Sequence, residues 1–120
     1  MVRAILCLTL VACAADPGHA PVARISATPR AVLENDGFQT QVVLDGSTSG
    51  DPVDDPEGAT PLDYQWAIEN DEFRVVSGAL DTQQVTLSFF GGRPATVRLT
   101  VTDGDGRTSM ARLQLQLTVR

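Results

Sequence analysis

Val97-Arg98-Leu99-Thr100-Val101-Thr102-Asp103-Gly104-Asp105-Gly106 is the stretch that decides the fold. Val97, Leu99 and Val101 alternate with Thr96, Arg98, Thr100 and Thr102, which gives a strand with one dry face and one wet face. The pattern resumes beyond the Asp-Gly steps, where Leu113, Leu115, Leu117 and Val119 alternate with Arg112, Gln114, Gln116 and Thr118. Between the two, Asp103-Gly104-Asp105-Gly106 suits a tight hairpin whose backbone needs a positive φ. Two antiparallel strands joined by a short turn are therefore expected at the C-terminal side.

The same period extends toward the N-terminus. Leu62, Tyr64, Trp66 and Ile68 alternate with Asp63, Gln65, Ala67 and Glu69, and Val85, Leu87 and Phe89 alternate with Thr86 and Ser88. Val42 and Leu44 lead into a stretch rich in Gly, Ser, Thr, Asp and Pro from Asp45 to Pro61. Val22 to Ala27 makes a weaker opening strand and Phe73 to Val76 a short edge strand. No segment has the 3.6-residue period of a helix. The pattern predicts an all-β, immunoglobulin-like antiparallel β-sandwich of about seven strands over residues 22–120, with Trp66 as the marker of its core.

The first twenty residues carry a different kind of signal. Met1 to Arg3 are weakly basic and Ala4 to Ala12 form an apolar run, as in a signal peptide. The run is far shorter than the roughly 20 residues that span a bilayer. Leu10-Val11-Ala12-Cys13 resembles the lipobox of bacterial lipoproteins at every position. The resemblance implies a signal peptide over 1–12, cleavage before Cys13 and lipidation of Cys13 through its sulfur and new amino terminus. Ala14 after the cysteine then implies the outer membrane of a bacterial cell envelope. Residues 13–21 read as the acylated cysteine and a linker, and His19 as an exposed part of it. The eight residues from Ala14 to Pro21 reach at most about 29 Å when extended.

Composition narrows the chemistry. The chain has 120 residues and a net charge of −6, with no basic cluster, so nucleic acid is not an expected partner. Of the two cysteines, Cys7 lies in the apolar run and Cys13 at the lipidation site, so a mature domain without disulfides is expected, with packing alone to hold it. A single histidine excludes both a zinc site and a Ser-His-Asp constellation. Paired carboxylates alone would need a substrate cleft to hydrolyse glycosides, and a core filled by alternating aliphatics leaves little room for one. The expectation is a non-enzymatic protein with no catalytic residues.

Four segments carry a family resemblance. Val43-Leu44-Asp45-Gly46-Ser47-Thr48-Ser49, Asp55-Pro56-Glu57-Gly58, Pro61-Leu62-Asp63-Tyr64-Gln65-Trp66 and Val97 to Gly106 together resemble the PKD (polycystic kidney disease repeat) domain, over roughly Pro21 to Arg120. Cadherin-type immunoglobulin-like families share part of this pattern. The chain departs from the PKD pattern after its tryptophan, with Trp66-Ala67-Ile68-Glu69-Asn70-Asp71 in place of Trp-Asp-Phe-Gly-Asp-Gly, and it carries extra residues Gly50 to Asp54.

The resemblance implies calcium ligands in the two acidic loops, at Asp55, Glu57 and Asp103, although the same residues also suit solvated turns. It implies too a module that contacts a protein or a polysaccharide. The outward residues Arg98, Arg112, Gln114 and Gln116 form a face able to hydrogen-bond such a ligand. A calcium-stiffened structural subunit of an envelope or secreted assembly is the alternative.

Overall fold

The computed structural model describes residues 18–119. The signal sequence, the lipobox and Cys13 lie outside the described residues. Nine short strands follow in chain order: β1 (Ser26–Thr28), β2 (Ala31–Leu33), β3 (Thr40–Asp45), β4 (Asp63–Glu69), β5 (Phe73–Ser77), β6 (Gln84–Phe89), β7 (Thr96–Thr102), β8 (Thr108–Gln114) and β9 (Gln116–Thr118). No helix occurs among the described residues.

Two sheets form the layers, one in the order β1-β3-β6-β5 and the other β4-β7-β8, and every pairing within them is antiparallel. Period-2 alternation places the core between them. Val42 and Leu44 of β3 and Val85, Leu87 and Phe89 of β6 come from one sheet; Trp66 of β4 and Val97, Leu99 and Val101 of β7 come from the other, all of them buried. Each aliphatic side chain so buried contributes about 1.5–3 kcal/mol relative to an exposed one. Trp66 is where the sequence places it, with its indole N–H donated to the Thr82 carbonyl at 2.7 Å. That bond satisfies the one polar atom of a ring otherwise packed in hydrocarbon.

The structure corrects the expected strands at three places. The run from Arg112 to Val119 is not one strand. β8 ends at Gln114, the Leu115 amide turns away to the Ala95 carbonyl, and β9 pairs in parallel with β2, a strand too short for its period to show in the sequence. Leu115 at the break is fully buried, whereas Val119 is 81% exposed and belongs to no dry face. The opening segment is also shorter than Val22 to Ala27: only Ser26–Thr28 is a strand, and Val22 instead makes an isolated bridge to Gly50.

Finally, the β7–β8 turn is wider than a two-residue Asp-Gly hairpin. The Asp103 amide donates to the Arg107 carbonyl and the Gly106 amide to the Asp103 carbonyl, with Gly106 at φ 87° as the residue that must adopt the left-handed region.

The departure from the PKD pattern after Trp66 has a structural counterpart. Asn70 turns the chain at φ 80°, and the Asp71 carboxylate accepts the amides of Gly91 and Gly92 at 2.9 and 3.2 Å. The β4–β5 turn is thereby tied to the loop that follows β6.

Candidate functional site

The long acidic connection between β3 and β4 and the β7–β8 turn meet at one end of the sandwich. What joins them is a side chain. The Arg107 guanidinium lies 3.0 Å from Asp105, 3.8 Å from Asp103 and 3.9 Å from Asp54. These neighbours raise the Arg107 pKa, the hydrogen bond to Asp105 first among them. The extra residues Gly50 to Asp54 also receive the N-terminal segment. The His19 amide donates to Asp54 at 2.6 Å, and its imidazole lies 3.6 Å from the same carboxylate. That backbone hydrogen bond is the main cause of the lowered Asp54 pKa. Gly18 packs so closely on Arg107 that a Cβ there would lie 2.6 Å from Cζ.

The three carboxylates singled out in the sequence are not brought together. Both oxygens of Asp55 accept amides of their own turn, from Ala59 at 3.0 Å and Thr60 at 2.9 Å. Glu57 is exposed on the surface. Asp103 is buried, and one of its oxygens accepts the amides of Asp105 and Arg107, both at 2.9 Å. Among the described residues no three of His, Cys, Asp and Glu are grouped to hold a metal ion. Asp55, Glu57 and Asp103 are thus not gathered into one group in this arrangement, and the second oxygen of Asp103 is buried without a hydrogen-bond donor, 3.8 Å from Arg107 Nη1. The charge that a cation would neutralise between the loops is met by Arg107.

Beside this cluster an open groove of 660 Å³ runs between Ser47–Asp51 and the Asp55–Leu62 segment, with Arg24, Tyr64 and Gln83 along it. Tyr64 alternates with Trp66 and Ile68 on the inner face of β4, but it sits at the loop end, where the core stops and the ring is half-buried. Packing thus holds an aromatic surface at the groove without a further loss of side-chain freedom. Its hydroxyl accepts from Gln83 Nε2 at 3.4 Å. Asp51 is only 9% exposed, and its Oδ1 is buried with no hydrogen-bond partner. Tyr64 does not stand out in the sequence as a site residue, and Asp51 reads there as one of several acidic residues of the long connection. The available signals are an aromatic on the core face at a strand end and an aspartate in an inserted loop.

Comparison with known proteins fits this architecture. The solution structure of the PKD domain from KIAA 1837 protein superposes with a TM-score of 0.59 at 18% identity, over 88% of this chain and 94% of that one. The fold is that of a PKD domain.

A structure of promiscuous carbohydrate-binding modules from the β-sandwich superfamily matches with a TM-score of 0.59 at 22% identity, over 87% of this chain and 36% of that one. A nucleoside hydrolase-related hypothetical protein from Saccharophagus degradans, associated with carbohydrate metabolism, matches with a TM-score of 0.58 at 18% identity, over 84% of this chain and 26% of that one. The chain thus spans about a third or less of these two larger structures. No family model matches the chain, and no curated protein matches it.

Proposed function

We propose that this protein is a non-enzymatic, lipid-anchored component of the bacterial envelope whose PKD-like domain binds a polysaccharide in the groove beside Tyr64. The groove carries the reading: a fixed aromatic face next to hydroxyl, amide, guanidinium and carboxylate groups is what a pyranose ring needs for stacking and hydrogen bonding. The likeness to carbohydrate-binding modules supports the same ligand class over a protein partner. The lipobox at Leu10 to Cys13 supports the anchor and, through Ala14, the outer membrane. From Cys13 to Gly18 the chain reaches at most about 18 Å, so the groove, near the N-terminal end of the domain, would face a ligand close to the membrane.

The test is binding of the full chain, held in detergent, to an array of envelope and extracellular glycans, read against a Tyr64→Ala variant. Saturable binding lost in the variant supports the reading. Equal retention by both forms removes the groove from it, and capture of a single envelope protein with no glycan bound would replace the polysaccharide by a protein ligand.

A further inference from the structure

β8 forms an open edge of its sheet. Two contacts at its ends set the phase of the ladder with β7: the Asp103 amide donates to the Arg107 carbonyl and the Leu115 amide to the Ala95 carbonyl. Hydrogen-bonded and non-hydrogen-bonded pairs alternate along an antiparallel ladder. Ser109, Ala111 and Leu113 therefore turn their backbone groups to β7, and Thr108, Met110, Arg112 and Gln114 turn theirs outward. Among the described residues no hydrogen bond meets that outward row, and the four side chains along it are exposed.

The remaining edges are blunted in ways that keep sheet edges from pairing. β1, β2 and β9 have three residues each, β5 shifts register between Val75 and Ser77, and the outward Trp66 amide of β4 is taken by the Leu80 carbonyl. β8 has none of these devices. It runs for seven residues, pairs with β7 without a register shift and contains neither proline nor an acidic residue.

We infer that this edge pairs with β8 of a second copy of the chain, antiparallel about a two-fold axis at Ala111, so that the two three-stranded sheets become one. The sequence of the strand selects both the occupant and the register. Centred on Ala111, Met110 faces Arg112 of the second copy and Thr108 faces its Gln114 in hydrogen-bonded pairs, and every outward amide and carbonyl of the strand is used. An axis at Arg112 would set two arginines directly opposite each other, where like charges are unfavourable. An axis at Met110 would carry Gln114 past the end of the strand, against Gly106 of the opposite turn. At Ala111 the two alanines meet in a non-hydrogen-bonded pair, where Cα atoms approach to about 4.5 Å and small side chains fit. The groove beside Tyr64 has no residue of β8 in its lining, so the inference stands apart from the polysaccharide reading.

The experiment is analytical ultracentrifugation of the full chain in detergent from about 1 μM to 1 mM, a range suited to the small area of a single strand pair. The expected result is a monomer–dimer equilibrium. Met110→Lys sets a second cation opposite Arg112 at both symmetry-related pairs and should weaken it at least about threefold, while Met110→Glu should tighten it. Adding Arg112→Glu to Met110→Lys should restore dimerisation. Both positions are exposed, and Trp66 fluorescence verifies that each variant is folded. Under oxidation Ala111→Cys should form a disulfide-linked dimer well above the background of the unsubstituted chain, which carries Cys7 and Cys13, and Met110→Cys should not.

A chain that stays monomeric throughout overturns the inference. So do a dimer indifferent to the charge at position 110, crosslinking through Met110→Cys in preference to Ala111→Cys, and assembly beyond the dimer, because the pairing of β8 with itself consumes the edge. None of these outcomes bears on glycan binding, which is read separately with Tyr64→Ala.

Discussion

The indole N–H of Trp66 and the main-chain carbonyl of Thr82 meet at 2.7 Å, and the Trp66 amide itself donates to Leu80 at 2.7 Å. β4 belongs to one sheet and the Leu80–Thr82 segment lies between β5 and β6 of the other. One residue therefore ties the two layers through its backbone and its side chain. Replacing Trp66 by Phe keeps most of the buried area, leaves the Thr82 carbonyl without its donor and opens a small void. The expected loss is about 1–3 kcal/mol in urea unfolding, below the 3–5 kcal/mol typical of Trp→Ala. A change under about 0.5 kcal/mol would show that the bond contributes nothing beyond solvation.

Leu115 has no exposed surface and marks the point where the chain leaves β8 for β9. Leu115→Ala should cost about 2–5 kcal/mol, the range for a buried leucine. Val119→Ala, at a residue 81% exposed, should change stability by less than about 0.5 kcal/mol. Equal effects of the two would contradict the division of the last apolar run into two strands.

Arg107 occupies the junction of the acidic loops, so calcium is expected to leave the melting temperature of the full chain unchanged. Differential scanning fluorimetry with calcium and with chelator should give superimposable curves. Arg107→Met leaves Asp54, Asp103 and Asp105 without their shared cation and should lower the melting temperature in both conditions. A calcium-dependent rise in the wild type would restore the metal reading of Asp55, Glu57 and Asp103.

The N-terminal segment is held by a pH-sensitive contact. The amide of His19 lowers the Asp54 pKa, so the folded pKa lies below the unfolded value of about 3.9. A depressed carboxylate pKa contributes stability that is fully present above the unfolded pKa and is lost as pH falls through the folded pKa. The Asp54 carboxyl resonance should therefore titrate with a midpoint below the unfolded value of about 3.9, and the His19 amide should lose its docked chemical shift in the same step. Asp54→Asn should move the His19 amide resonance at neutral pH. An amide shift indifferent to both changes would show that the segment is not docked through Asp54.

Much of the fold is legible in the residues themselves. The alternation at Tyr64, Trp66 and Ile68 and at Val97, Leu99 and Val101 fixes which side of each strand is dry, because successive side chains point to opposite faces. Two such faces in a chain of this length leave a sandwich as the way to bury both. The turn at Asp103–Arg107 is likewise local, since Gly106 and the Asp103 carboxylate organise it from within.

The sequence by itself thus determined strand faces, turns and the core position of Trp66. Tertiary structure alone decided which strands pair and which loop side chains meet. The parallel pairing of β2 with β9 joins two three-residue strands from opposite ends of the domain, and nothing in Ala31-Val32-Leu33 names Gln116-Leu117-Thr118 as its partner. Arg107 reads in sequence as one more polar turn residue; only the crossing of two distant loops puts it among Asp54, Asp103 and Asp105. Asp51 and Tyr64 share a groove for the same reason. Periodicity encodes the face of a strand through steric alternation along the chain. The meeting of charges and rings at a sandwich end depends on how distant segments pack, which has no local signature.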